Sequence, residues 1–194
     1  MLAAFRKRRP ALRQEDSSQQ RGRVQSCPSR AVWAETLVPT QHGRRPLRSV
    51  IPGDRVLTFD DHDVPVVAIS RGFWQGFDDD RLVRIEAGVL GNRDQTIVSA
   101  GQRVLIESDA AEAATGDPFA LVPAIDLLPL EGVTRIASDV PIEMIALHFD
   151  EEQVVPVADG LLMHCLAASE AGSMGCLLRQ RVAPPRYAEL PAIA

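Results

Sequence analysis

The chain has 194 residues, a formal net charge of −5, 45% hydrophobic residues and only 5% aromatic ones. This length and hydrophobic content suit one domain with tails, whose core must be built mainly from Val, Leu, Ile and Ala. No apolar run approaches the length of a membrane span, and the negative net charge argues against nucleic acid as a partner.

The cysteines are scattered and odd in number: Cys27, Cys165 and Cys176. Such a set has neither the spacing of metal ligands nor the even count of a disulfide framework. The sequence therefore predicts no metal and no cofactor, and a reducing cytoplasm is the default location.

Residues 1–30 are rich in arginine, glutamine and serine and contain the basic run Arg6-Lys7-Arg8-Arg9. This composition predicts a disordered basic leader, which is most often a solvated tail. The leader lacks an apolar core between its basic start and its end, so it does not fit a secretory signal peptide.

Residues 35–58 predict a meander of short strands around one tight turn. Residues 36–38 favour extended structure because threonine, leucine and valine follow one another there. Pro52 presets φ for the first central turn position, and Gly53 supplies the positive φ of a type II turn. A meander of this kind is a common opening of an all-β domain.

The rest of the chain continues the β pattern. Residues 82–87 alternate apolar and polar side chains, which predicts a half-buried strand. Further strands are predicted at residues 64–69, 96–98, 103–107, 142–149 and 153–157. Residues 73–80 and 108–117 are predicted as loops, residues 123–130 as the one short helix, and residues 167–194 as a weakly ordered tail. The predicted fold class is all-β, with many short strands and at most one short helix.

Several motifs, taken in order and spacing, resemble the Hint (Hedgehog/intein) domain, in the bacterial subgroup that stands outside true inteins. The first motif comprises residues 36–40, Gly43, Pro52-Gly53-Asp54 and Val56-Leu57-Thr58. The later motifs lie at residues 82–91, 99–106, 121–124, 145–150 and 154–160. The resemblance covers residues 31–166, and it implies a compact Hint-like β domain between the leader and the tail.

The chain departs from the family pattern where the family's chemistry would lie. The resemblance places the cysteine nucleophile at Ala31, five residues before Thr36. It places the histidine of the second motif at Gln102 and a late histidine at Glu152. Thr36 keeps the pattern, although the glycine that precedes it in the family is Glu35 here.

These departures predict the loss of self-cleavage. In this family, cleavage begins when a thiol or hydroxyl attacks the preceding carbonyl, and a histidine polarises or protonates the amide. Alanine has no nucleophile, and glutamine cannot transfer a proton near neutral pH. Ala31, Thr36 and Gln102 are then vestigial site positions. The domain would act, if at all, as a non-catalytic scaffold for an unidentified protein or peptide partner.

An alternative is an active domain with a displaced nucleophile, Cys27, four residues before Ala31. Such a shift is large for a group that must lie within bonding distance of one carbonyl. A free thiol in the leader is the preferred interpretation of Cys27. His164 and Cys165 resemble the downstream junction of inteins, but the asparagine that cyclises there is missing. His164 is therefore interpreted as a strand-end or surface histidine.

The remaining polar clusters carry structural interpretations. Residues 60–63 and 78–80 are acidic runs, and consecutive acids in a turn cannot all point at one ion. They are predicted as solvated loops. His148 lies in an apolar strand and is predicted to be a hydrogen-bonded structural histidine, while Trp33 and Trp74 are predicted to pack. Motifs of hydrolases that act on other molecules are absent from the sequence.

Overall fold

The structure, a computed structural model, describes residues 28–60, 62–76 and 82–171. Within these ranges the chain is mainly β-strand, which confirms the all-β prediction. The strands are β1 (Val32–Trp33), β2 (Leu37–Thr40), β3 (Gly43–Pro46), β4 (Arg55–Leu57), β5 (Asp63–Pro65), β6 (Ala68–Gly76), β7 (Leu82–Ile85), β8 (Thr96–Ser99), β9 (Arg103–Glu107), β10 (Phe119–Pro123), β11 (Val133–Ile136), β12 (Ser138–His148), β13 (Gln153–Val157) and β14 (Leu161–Cys165). The α-helices of the described part are α1 (Asp109–Thr115) and α2 (Ala168–Ala171).

The strands pair antiparallel in sheets of six, four and four strands. Their orders are β11-β7-β8-β1-β12-β6, β10-β9-β14-β13 and β3-β2-β4-β5. The short strand β1 lies inside the largest sheet, where Val32 faces Val98 on one side and Ile145 on the other. The residues just before β1 therefore enter the molecule between β8 and β12.

One apolar core joins the three sheets and is built almost wholly from aliphatic side chains. Side chains along β1 alternate between the faces of its sheet, as strand geometry requires. Val32 points into the main core, whereas Ala31 and Trp33 belong to a second apolar cluster with Trp74 and its neighbours. Trp74 is 7% exposed, so both tryptophans pack as predicted.

The predicted turn at Pro52-Gly53-Asp54 is present. Gly53 has a φ of 96°, in the region that favours glycine. The carboxylate of Asp54 accepts a hydrogen bond from the Ile51 amide at 3.1 Å, which closes the turn. The turn leads into β4, as the sequence predicted.

The helices differ from the prediction in place and number. Residues 108–117 were predicted as a loop, but they form α1, because Ser108 caps its N-terminus and Gly116 ends it in the left-handed conformation. The alanine-rich interior between the caps favours helix. Residues 123–130 contain only the 3-10 turn Ala124–Leu127. With α2, the described part has two short α-helices where at most one was predicted.

Two other segments depart from expectation. Residues 73–76 were predicted as part of a loop but form the end of β6, which pairs with β12 up to Gly76. Residues 167–171 continue past the predicted domain end, and the Ala168 amide donates to the carbonyl of Phe149 at 2.6 Å. None of the helices in the described ranges is long and apolar enough to cross a membrane.

Candidate functional site

Ala31 lies immediately before β1 and is completely buried. Its methyl group belongs to an apolar cluster whose other buried members are Trp74, Leu82, Met144 and Ala146. The side chain at this position therefore fills a hydrocarbon-lined space and offers no nucleophile. We call the peptide bond between Arg30 and Ala31 the junction bond, because the resemblance predicts that the family's cleavage would break it.

Ser99, at the end of β8, holds the backbone around the junction bond. The amide of Ala31 donates a hydrogen bond to Ser99 Oγ at 2.8 Å, and the Ser99 amide donates to the Ala31 carbonyl at 2.9 Å. The Ser99 hydroxyl in turn donates to the carbonyl of Ser29 at 2.9 Å. The nitrogen that would leave in a cleavage reaction is thus fixed by a side chain that has no acid function near neutral pH.

Gly101 makes room for the segment that precedes the junction bond. A Cβ atom at this position would lie 2.9 Å from the carbonyl oxygen of Ser29. Backbone atoms cannot withdraw as a flexible side chain can, so any larger residue would push residues 28–30 away from the β8–β9 turn. The main chain of the β8–β9 turn therefore packs directly against the main chain of residues 28–30.

Gln102, where the resemblance places a histidine, is 2% exposed. Its side-chain Nε2 donates to the carbonyls of His164 at 2.8 Å and of Arg103 at 2.9 Å. Both hydrogens of the amide are therefore engaged by main-chain oxygens. Gln102 joins the β8–β9 turn to β14 and has no proton to give to the junction bond.

Thr36, the third position that the sequence predicted to be vestigial, makes a hydrogen bond. Its Oγ1 lies 2.6 Å from Oγ1 of Thr96, and both side chains are buried. This bond links the turn after β1 to the first residue of β8. Thr36 therefore fixes the frame around β1 and lies outside the cleft described next.

A small cleft adjoins the junction. It is lined by Arg30, Gln102, Ala146, Leu147, His148, Met163, His164, Cys165 and Leu166. The space inside is about 10 Å³, enough for about one water molecule. Ala146 belongs both to this lining and to the apolar cluster around the Ala31 methyl group, so position 31 and the cleft are direct neighbours.

His164 was interpreted as a strand-end or surface histidine. It lies one residue before the end of β14 and is 5% exposed, so the strand-end alternative fits and the surface alternative does not. Its Nε2 lies 3.4 Å from Oε2 of Glu152, the position where the family pattern has a late histidine. In the β13–β14 hairpin His164 is paired with Val154, while its neighbour Met163 is paired with Val104 of β9.

Burial lowers the pKa of His164 below its ordinary value, and the positive charges of Arg30 and Arg103 lower it further, while Glu152 opposes the shift. Burial and the positive charge of Arg103 also lower the pKa of the Arg30 guanidinium. The carboxylates of Glu152 and Glu170 act in the opposite direction and raise it. His164 is therefore a neutral imidazole at neutral pH, beside the side chain that precedes the junction.

The other ionisable groups of the cleft are inert or structural. Burial raises the pKa of the Cys165 thiol far above its ordinary value, so this thiol stays protonated. His148 is 5% exposed, its Nε2 lies 2.9 Å from Ser70 Oγ, and burial lowers its pKa. This agrees with the predicted structural histidine. Among the described residues, no group of His, Cys, Asp or Glu is arranged to hold a metal ion.

Comparison with known proteins defines the class. Residues 31–169 match the family model of the Hint domain, well over half of the chain. The chain therefore belongs to the Hint-domain family. No curated protein matches it.

Several solved structures of inteins and an intein-like domain are similar in fold. A splice-inactive variant of the AceL NrdHF class 3 split intein is 16% identical, with 71% of this chain and 98% of that chain covered and a TM-score of 0.48. The MchDnaB-1 intein is 15% identical, with 69% and 99% covered and a TM-score of 0.46. The bacterial intein-like domain from Clostridium thermocellum is 15% identical, with 69% and 97% covered and a TM-score of 0.45.

The sequence predicted that Ala31 and Gln102 lie in one site. In the structure the β8–β9 turn, which contains Gln102, lies beside the segment that ends at Ala31. Sequence reasoning missed Ser99, Arg30 and the pairing of His164 with Glu152. Ser99 opens one of the recognised motifs, so its place there was the available signal. The alternative nucleophile Cys27 lies outside the described residues.

Proposed function

We propose that this Hint domain leaves its junction bond uncut and serves as a non-catalytic β scaffold. In that role it keeps the residues before position 31 covalently attached to the folded domain. A protein or peptide would be its binding partner, since the cleft beside the junction bond holds only about 10 Å³ and cannot enclose a drug-sized ligand.

The observation that carries the proposal is the environment of Ala31. The methyl group is fully buried among apolar side chains, where the reaction needs a thiol or a hydroxyl. The junction amide is bonded to Ser99 Oγ, which supports a resting geometry for the intact bond. Loss of the nucleophile removes the reaction at this position, because alanine has no atom that can form the ester or thioester.

Gln102 supports the same conclusion independently. A proton donor is required for the amide nitrogen to leave. The Gln102 amide is neutral, and both of its hydrogens are bonded to main-chain carbonyls. The position has thus been converted from a chemical role to a structural one that ties two strands together.

The test is the mass of the purified full-length chain. Incubation near neutral pH, with and without dithiothreitol, should leave one species of 21.1 kDa over several days. A matched sample of Cys27→Ala should behave identically. Appearance of residues 27–194 in the unmodified chain, and its absence in Cys27→Ala, would show that the displaced thiol cleaves. Appearance of residues 31–194 would show cleavage at the junction bond itself; either product contradicts the proposal.

A further inference from the structure

His164, which lines the cleft, forms a histidine–carboxylate pair with Glu152. The His164 ring is 5% exposed, and its Nε2 lies 3.4 Å from a carboxylate oxygen of Glu152. A carboxylate only accepts hydrogen bonds, so the ring nitrogen that faces it carries the proton. The lone pair of the neutral ring is then on Nδ1.

That lone pair has no partner. Nδ1 of His164 is buried and makes no hydrogen bond. A buried acceptor without a donor is costly, and groups left in this state deserve a reason. A neutral imidazole fixed by a carboxylate, with a free lone pair on the other nitrogen, is the arrangement of a general base.

Three observations place His164 near the junction bond. His164 and Arg30 line the same cleft. The Gln102 side chain, in the turn that holds the junction amide, donates to the carbonyl of His164 at 2.8 Å. Ala146, which packs against the Ala31 methyl group, also lines the cleft.

We propose that the His164–Glu152 pair is a latent base and proton carrier for the junction bond, a role that the resemblance assigns to the histidine position held here by Gln102. This proposal rests on the proposed function, in which the domain leaves the junction bond uncut, and it assigns to His164 the proton transfer that Gln102 cannot perform. A thiol introduced at position 31 would therefore restore bond rearrangement without a histidine at position 102.

The proposed step is thioester formation at the junction bond, and every bond and proton in it comes from this chain. The sulfur introduced at position 31 forms a bond to the carbonyl carbon of Arg30, and the bond from that carbon to the nitrogen of residue 31 breaks. Nδ1 of His164 takes the proton from the thiol and then delivers it to the departing nitrogen. The product is a thioester with a free amine, and no oxidant, reductant or metal takes part.

His148 provides a matched comparison. It is buried to the same extent, lines the same cleft, and also has an unpartnered Nδ1. Its Nε2 faces the Ser70 hydroxyl instead of a carboxylate, and no charge of Arg30 acts on it. If any buried histidine sufficed, His148→Gln and His164→Gln would have equal effects.

The experiment uses full-length Ala31→Cys, alone and combined with His164→Gln, His148→Gln or Glu152→Gln. Dithiothreitol attacks a thioester, so release of residues 1–30, followed by mass, measures its formation. With Ala31→Cys alone, release should occur, and its rate should be nearly level from about pH 6.5 to about pH 8, where the imidazole is neutral. Adding His164→Gln should slow release about 100-fold and leave a rate that keeps rising with pH as the thiol ionises.

Adding His148→Gln should change the rate less than about threefold, well below a general-base effect. The Glu152 side chain is half exposed, so Glu152→Gln should fold and tests the pair even if His164→Gln unfolds. We expect Glu152→Gln to slow the release of residues 1–30 and to remove the pH-independent part of the rate profile. Failure of folded Ala31→Cys to release residues 1–30, or equal effects of the two histidine changes, would overturn the proposal. Cleavage of the unmodified chain would instead overturn the proposed function.

Discussion

The Ala31 amide and the Ser99 hydroxyl meet at 2.8 Å although 68 positions separate the two residues in sequence. The bond connects the segment entering β1 to the end of β8. The Ser99 hydroxyl donates to the Ser29 carbonyl, and the Ser99 amide donates to the Ala31 carbonyl. One small residue therefore organises the backbone around the junction bond.

Ser99→Ala should destabilise the fold by about 1–3 kcal/mol, because it leaves the buried Ala31 amide without an acceptor. Urea denaturation measures the loss. Ser138→Ala is the control, since that hydroxyl bonds the Val140 carbonyl at an exposed site and its removal should cost less than about 0.5 kcal/mol. Trypsin should also cut after Arg30 faster in Ser99→Ala. Equal stabilities of the two variants would contradict the role of Ser99.

Gln102→Ala should cost about 2–3 kcal/mol, because the carbonyls of His164 and Arg103 lose the donor that reaches them in the interior. Thermal unfolding followed by circular dichroism measures the change. Gln75→Ala removes a side chain that also donates to a carbonyl, but at an exposed position, so its melting temperature should stay close to that of the unmodified chain. A Gln102→Ala protein as stable as Gln75→Ala would show that the buried bonds contribute nothing.

Acid should destabilise the domain through its two buried histidines. Burial holds the pKa values of His148 and His164 below the ordinary 6.5, so in that window the unfolded chain binds more protons than the folded one. The free energy of unfolding therefore rises with pH in this window. The stability that depends on the two neutral histidines is fully present above about pH 6.5, and it is lost as the solution is acidified toward the folded pKa values.

Urea titrations at about pH 7.5 and about pH 5.5 would measure this dependence. His148→Gln should show a smaller loss on acidification than the unmodified chain, by at most about 1.4 kcal/mol per pH unit. His42→Gln changes an exposed ring and should retain the full loss. The prediction fails if His148→Gln and the unmodified chain lose the same free energy.

Gly160→Ala should prevent folding or cost several kcal/mol. A Cβ there would lie 2.0 Å from the carbonyl oxygen of Gly91, so two main-chain segments would have to separate. Gly43→Ala is the matched control, because its φ of 90° is strained for alanine but no atom lies within 4 Å. We expect about 1 kcal/mol at Gly43. Soluble expression and circular dichroism of both proteins measure the two losses. A much larger loss for Gly160→Ala than for Gly43→Ala would show the effect of the close contact beyond that of backbone strain.

Most of the β architecture was predictable from local pattern. The turn at Gly53 and the strand at residues 82–85 follow from residue type and alternation, which act over a few positions. Helix α1 was missed because its acidic, alanine-rich sequence was interpreted as a loop, although Ser108 and Gly116 are ordinary caps. The strand at residues 73–76 was missed because its pairing with β12 is a long-range contact.

The sequence by itself determined what these two side chains can supply: Ala31 offers no nucleophile, and Gln102 offers no proton for transfer near neutral pH, whatever surrounds them. Tertiary structure alone decided what these positions do instead, since the apolar cluster at Ala31 and the two carbonyls at Gln102 come from distant strands. It also decided that His164 is buried beside Glu152. Hydrogen bonding and burial depend on which segments meet in space, and residue order does not reveal that.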